Sequence, residues 1–202
     1  MIDRLAAVSG RGVSRETVEK LERYEQMVRA ETAHHNLVAN STLEDFWSRH
    51  VLDSAQLLRF AAPGSSWADI GSGAGLPGIV IACVSGDPVK LIEPRRLRAD
   101  FLQRVVDDLK LNATVHRGKA ETARGTFDVI TARAVASLTR LLDISHHLST
   151  GKTLLLFPKG KSAESELAAA RQTWQALFHV ERSVVDADSD IILARNVRRK
   201  TR

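Results

Sequence analysis

Between Trp67 and Val84 the chain carries a pattern that few folds accommodate. A short apolar run, Trp67-Ala-Asp-Ile70, leads into glycines at 71, 73, 75 and 78, and a second apolar run, Ile79-Val-Ile-Ala-Cys-Val84, follows at once. Strand, tight glycine turn and buried helix in that order form the opening unit of an open α/β sheet that binds a nucleotide-containing ligand. Glycine holds positive φ and lets backbone approach a ligand, but each one costs folding entropy. An ordinary turn needs no such concentration of them, so the turn is expected to hold a ligand.

The periodicity differs on the two sides of this unit. Upstream, Ser14 to Ala33 spaces Val18, Leu21, Tyr24 and Val28 at three and four residues and predicts a helix. Ser41-Thr-Leu-Glu44 has the form of a capping box opening a second continuous helix, with Phe46, Trp47, His50, Val51, Leu57 and Leu58 on one face. Residues 1–62 are therefore expected to form a helical cap, too small for a core of its own, on a unit spanning 63–202. Downstream, strands alternate with helices, the mark of a mostly parallel sheet. Strands are predicted at Trp67–Ile70, Val89–Ile92, Ala113–His116, Phe127–Thr131 and Thr153–Phe157, with helices over 76–84, 94–109, 137–147 and 163–177. Two closing strands, Phe178–Val185 and Ile191–Ala194, flank the polar loop 186–190 and predict an antiparallel hairpin with helices on both faces of the sheet. The five cations of Arg195–Arg202 read as a flexible basic tail.

The balance of 29 Lys and Arg against 24 Asp and Glu favours an anionic partner, nucleic acid first among them. The one cysteine, Cys83, lies in an apolar run; this excludes a disulfide framework and a cysteine-rich zinc site and predicts a buried thiol. The pairs His34-His35 and His146-His147 lack the spacing that sets two ligands on one helix face, so no metal is expected. No apolar block opens the chain and none is long enough to span a membrane; a cytoplasmic protein is expected.

Two cofactors fit the loop. Gly73-x-Gly75-x-x-Gly78 matches a dinucleotide pattern and implies a nicotinamide-dependent dehydrogenase, whereas Asp69-x-Gly71-x-Gly73-x-Gly75 matches the first motif of S-adenosylmethionine-dependent methyltransferases. Glu93 ends the second predicted strand, where a carboxylate can accept from both hydroxyls of a ribose, a group both cofactors contain. Asp69 and, after strand three, Ala120-Glu121 add acidic groups at the same sheet edge. A carboxylate-rich crevice suits the sulfonium and ammonium of S-adenosylmethionine better than a pyrophosphate. A non-catalytic RNA-binding module with a degenerate loop is the third reading; it has no physical need for Asp69, Gly71, Gly73 and Glu93.

With these residues placed, the chain resembles the ribosomal RNA small subunit methyltransferase G family, also called glucose-inhibited division protein B. The likeness rests on Arg49-His-Val-Leu-Asp-Ser54, Asp69-Ile-Gly-Ser-Gly-Ala-Gly-Leu-Pro-Gly78, Phe101-Leu102, Thr131-Ala-Arg-Ala-Val-Ala-Ser137 and Pro158-Lys-Gly-Lys161. Glu31-Thr32 ahead of Asn36-Leu-Val38 departs from the family's Trp-Asn pair, and Glu93 stands where the family often has aspartate. The resemblance implies a Rossmann-like class I methyltransferase sheet that methylates N7 of a guanine in 16S ribosomal RNA, naked or within the small subunit, as a monomer. It implies cofactor contacts at Gly71, Leu76, Ala120, Glu121 and Arg133, beside the loop positions Asp69, Gly73 and Gly75 and the ribose position Glu93. Guanine N7 already carries a free lone pair, so no general base is required and none is assigned. The absence of an Asn/Asp-Pro-Pro-aromatic motif after strand four agrees with this: Thr131-Ala-Arg-Ala134 stands there. Arg133 is expected to orient the cofactor, to contact the target nucleotide or to pair with Glu121. Lys159 and Lys161, with Arg95, Arg96 and Arg98, are candidates for RNA phosphate.

Overall fold

The computed structural model of the chain describes residues 1–35 and 37–200; the Asn36 departure and the Thr201–Arg202 end of the expected tail lie outside them. Seven strands form one sheet: β1 (Trp67–Ile70), β2 (Val89–Glu93), β3 (Ala113–Arg117), β4 (Val129–Thr131), β5 (Leu154–Lys159), β6 (Trp174–Arg182) and β7 (Asp190–Arg199). Their order is β3-β2-β1-β4-β5-β7-β6. The first five are parallel, while β7 inserts antiparallel between β5 and β6. The sheet is thus the mostly parallel class I methyltransferase type with an antiparallel hairpin at one side, and it departs from the 3-2-1-4-5-6 dinucleotide order.

Alternate strand residues feed two cores. Trp67, Val89, Leu91, Leu154 and Leu156 face one cluster, which also takes residues from α1 (Ile2–Ser9), α2 (Arg15–Thr32), α5 (Gly78–Ser85) and α6 (Arg96–Leu109). Ala68, Ile70, Ile92, Leu155 and Phe157 face the other, under α7 (Leu138–Ser145) and α8 (Ala163–Thr173). The amino-terminal helices share their cluster with α5 and α6: Leu21, Tyr24 and Phe46 join Ile79, Val80 and Phe101.

Four expectations are corrected. Residues 2–9, with no predicted element, form α1. The second continuous helix is broken into α3 (Asn40–Leu43), a wide π-helical turn (Trp47–Leu52), the short α4 (Asp53–Ala55) and a tight turn (Gln56–Phe60). Its capping box does not form, because Ala39 is the cap and the Thr42 hydroxyl donates to the Ala39 carbonyl. The wide turn has a tertiary cause: Arg133 Nη1 donates to the Arg49 carbonyl at 3.1 Å, drawing on a group the helix ladder would use. The helix predicted over 163–177 ends at Thr173, and Trp174 opens β6. Arg195–Arg199 is no tail but the end of β7, paired with Trp174–Leu177 and burying Val197 between exposed arginines. The predicted strand and helix ends elsewhere move by one to three residues.

Candidate functional site

At the carboxyl edge of β1 the loop from Gly71 to Gly78 folds largely onto its own supports. The Gly71 and Ser72 N–H groups donate to the Ile92 carbonyl, those of Gly75 and Leu76 to the Ser72 carbonyl, Gly73 N–H to Glu93 Oε2 at 2.9 Å and Gly78 N–H to Asp69 Oδ2 at 3.1 Å. The Ser72 side chain bridges the two strands, donating to the Asp69 carbonyl and accepting from Ile92 N–H. From the cap, the buried Tyr24 hydroxyl donates to the Ala74 carbonyl at 2.9 Å. Gly71 holds φ +68, and a Cβ there would lie 2.6 Å from Val135 Cγ2; at Gly78 a Cβ would meet Leu91 and Asp69. These contacts explain why the loop needs glycine.

Those hydrogen bonds decide what the loop can hold. A pyrophosphate is cradled by unoccupied N–H groups at a helix start, but here six of the loop's N–H groups, those of Gly71, Ser72, Gly73, Gly75, Leu76 and Gly78, are taken by carbonyls and carboxylates. Glu93 is 3% exposed; its Oε1 accepts from Arg95 N–H at 2.8 Å, and each oxygen keeps a lone pair for a ribose hydroxyl. Beside it a cleft of about 300 Å³ is lined by Ile70, Gly71, Ile92, Pro94, Ala120 and Val135, with the charged residues Lys119, Glu121 and Arg140 also on it. Apolar walls for a flat base, a ribose carboxylate and a loop with most of its N–H groups already bonded suit an adenosyl sulfonium better than a dinucleotide.

Asp69 has no exposed surface, and burial raises its carboxyl to about 6. It shapes the loop from beneath, through Gly78 N–H on its carboxylate and the Ser72 hydroxyl on its carbonyl. Glu121 pairs with Arg140, so of the three roles open to Arg133 the pair with Glu121 does not form. Arg133 instead reaches the cap: Nη1 donates to Asp53 Oδ2 at 3.0 Å and to the Arg49 carbonyl, and Nη2 donates to His50 Nδ1 at 3.1 Å. An arginine only donates, so His50 Nδ1 accepts and its Nε2 carries the hydrogen given to Thr42 Oγ1 at 2.9 Å. Burial, with the Arg133 charge beside it, lowers the imidazole to about 4, so it stays neutral at neutral pH.

Lys159, expected to meet phosphate, turns inward. Its ammonium is 2.8 Å from Glu166 Oε2 and 2.7 Å from the Ala136 carbonyl, and its side chain is 11% exposed. Lys161 is exposed, 3.6 Å from Asp188 on the β6–β7 hairpin. Arg95 and Arg96 are exposed at the start of α6, Arg96 beside Asp100, and Arg98 approaches Gly73. The structure thus gathers Gly71, Ala120 and Glu121 in one cleft with Glu93 beside it, puts Arg133 next door and separates the basic residues around the rim. The sequence reading missed Tyr24, Ser72, His50, Asp53 and Val135 as parts of the site. Four of them lie inside the motifs at 49–54, 69–78 and 131–137, which signalled the segments but not these side chains; Tyr24 lies in none. Among the described residues, no His, Cys, Asp and Glu cluster has metal-site geometry, and no helix is long and apolar enough to cross a membrane.

Comparison with known proteins gives one answer. The family model described as rRNA small subunit methyltransferase G matches residues 17–197. A ribosomal RNA small subunit methyltransferase G from Zymomonas mobilis is 43% identical over 199 residues, covering 94% of this chain and 90% of the relative. One from Sphingopyxis alaskensis is 44% identical over 187 residues, covering 89% and 79%. Among solved structures, an S-adenosylmethionine-dependent methyltransferase from Aquifex aeolicus superposes with TM-score 0.60 at 15% identity, over 75% of this chain and 92% of that one. A mutant of MtNAS in complex with S-adenosylmethionine gives TM-score 0.59 at 19% identity, over 84% and 72%.

Proposed function

This chain belongs to the rRNA small subunit methyltransferase G family, and on that premise we propose that it methylates N7 of a guanine in 16S ribosomal RNA, using S-adenosylmethionine, as a cytoplasmic monomer. The observation that carries the reading is the glycine loop with six N–H groups spent on Ile92, Ser72, Asp69 and Glu93, beside a cleft with a largely apolar floor. In this reading Gly71, Gly73, Gly75 and Leu76 form the wall against the cofactor, Glu93 accepts from the ribose hydroxyls, and Ala120 and Glu121 flank the base. Asp69 acts by holding Gly78.

When bound, S-adenosylmethionine supplies a methyl group on a positively charged sulfur. The chain's own contribution is alignment and charge. Guanine N7 needs no proton removed, so no side chain serves as general base, and positioning with electrostatic control carries the rate. Arg133 supplies a fixed positive charge at the edge of β4, held by Asp53 and neutral His50. Lys159 and Glu166 hold the Ala136 carbonyl and the start of α7, and so fix the segment from 133 to 137. Lys161 and Arg133 are the substrate-side cations.

Ribosomal RNA from cells with and without the protein, mapped for N7-methylguanine by borohydride–aniline cleavage, tests the reaction. One cleavage site present only with the protein is the expected result; identical patterns would refute it. Calorimetric titration with S-adenosylmethionine tests the cofactor separately, and no heat at millimolar ligand would end the assignment.

A further inference from the structure

Two clefts meet at Arg133. One, about 470 Å³, is bounded by Arg133, Val135, Ala136, Pro158, Lys159 and Asp190, and adjoins the cofactor cleft through Val135 and Ala136. The other, about 620 Å³, lies between Thr42, Ser48, Arg49 and His50 of the cap and the hairpin residues Val185 and Asp186. Asp53, Arg133, Ala134 and Ser189 line both, so the Asp53–Arg133 pair is a partition between them.

The partition is incompletely used. Arg133 is 19% exposed, and three of its five N–H groups go to Arg49, Asp53 and His50. The other two find no acceptor among the described residues. A half-buried guanidinium with two N–H groups to spare suits an anion with two oxygens, above all a phosphate. A second cation stands on the wall of the far cleft: Arg49, whose side chain is exposed. Three acids share that cleft with it: Asp45, whose carbonyl accepts from Arg49 N–H, Asp53, which Arg133 neutralises, and Asp186 on the hairpin. The Asp186 carboxyl is held below the usual range by Asp188 N–H and the Ser189 hydroxyl, with Arg49 and Lys161 adding to them.

We propose that the larger cleft is a second nucleotide site, which takes the residue adjoining the target guanosine in the RNA chain, with the phosphodiester between the two on Arg133 and the neighbour's own phosphate on Arg49. This deepens the reading of the chain as an rRNA methyltransferase and rests on it. A guanine stacked in an RNA helix cannot turn N7 toward a donor buried in a protein crevice; it must be in a loop or leave the stack. An unstacked base is held in place only if its backbone is held too, and phosphate contacts supply that register. The volume of the larger cleft is in the range of small-molecule sites. Arg133 can serve both sides because His50 and Asp53 fix its plane; these two are positioning residues.

The test uses full-length protein and small ribosomal subunits from cells lacking it, with Arg49→Ala and Arg49→Lys. Only the Arg49 carbonyl supports Arg133, so both variants keep that contact. For Arg49→Ala the KM for subunits should rise roughly tenfold, with the loss on KM and not on kcat, and the salt dependence of binding should lose about one unit of slope. Lysine should recover most of the loss, and calorimetric affinity for S-adenosylmethionine should be the same in all three proteins. An unchanged KM in Arg49→Ala, or a loss confined to kcat, would overturn the second site while the methyltransferase reading stood. Wild-type protein that methylates no subunits would instead remove the reading beneath it.

Discussion

Asp69 lies under the glycine loop with one carboxylate oxygen on Gly78 N–H and the other without a hydrogen-bond donor among the described residues. Burial raises its carboxyl to about 6, above the unfolded value, so the folded state binds the proton more tightly. Its cost to stability is therefore present at neutral pH and fades as pH falls through 6 toward 4. His50 has the opposite sign: burial and Arg133 depress it to about 4, so its contribution is lost as pH falls from 6.5 to 4. Relative to wild type, Asp69→Asn should lose about 2 kcal/mol more at pH 4.5 than at pH 7, measured by urea unfolding. His50→Asn should show the reverse trend, and parallel pH profiles for both variants would contradict this. Gly71→Ala forces a Cβ against Val135 at φ +68. It should cost about 1–3 kcal/mol and weaken S-adenosylmethionine binding, read by thermal shift and calorimetry.

At the scale of elements, β5, α7 and α8 are tied through one pair. Glu166 on α8 takes Lys159 from β5, the Leu138 N–H that opens α7 and the Ser162 hydroxyl. Burial alone would raise this carboxyl; these partners together bring it below its ordinary range. Lys159→Ala strands Glu166 and the Ala136 carbonyl, so about 2 kcal/mol of stability should be lost in urea. Methylation should fall with it, because the segment carrying Arg133 loosens. The cap is tied to the loop by one hydroxyl: Tyr24→Phe should cost about 1 kcal/mol and raise the S-adenosylmethionine Kd a few-fold. Elements with strong local signals, such as β1, β2, α2 and α6, were legible in the sequence. The helix beyond Ser41 was not, because its carbonyl ladder yields to Arg133, more than eighty residues away. The start of β6 was also missed: Leu167, Ala170, Trp174 and Leu177 keep helical spacing, but Leu177 is 66% exposed in the strand. Pairing with Arg195–Arg199 overrides that local pattern.

For the whole molecule, we propose a cap of residues 1–62 and a core of 63–202 that depend on each other for folding. Leu5, Leu21, Tyr24, Phe46, Val51 and Leu58 belong to the same buried cluster as Ile79, Val80 and Phe101. Deleting residues 1–62 would expose that face of the sheet's helices and remove Asp53 and His50 from Arg133. The truncated chain should therefore bind a hydrophobic dye and lose its cooperative thermal transition. A sharp transition and retained S-adenosylmethionine binding would make the core independent. The basic surplus acts at this scale too: Arg49 and Lys161 face the hairpin while Arg95 and Arg96 stand at α6, so RNA binding should weaken steeply with salt.

The glycine spacing, the alternating strand and helix periods and the acidic ends of the strands were set by local chemistry, and they were enough to specify a parallel sheet, a crevice at its carboxyl edge and the class of ligand. Tertiary structure alone decided which donor meets which acceptor. It turned Lys159 inward onto Glu166, gave Arg140 and not Arg133 to Glu121, and sent Arg133 to Asp53 and His50. The physical reason is that a charged side chain reaches several partners of similar strength, and burial and distance choose among them only after the chain has folded.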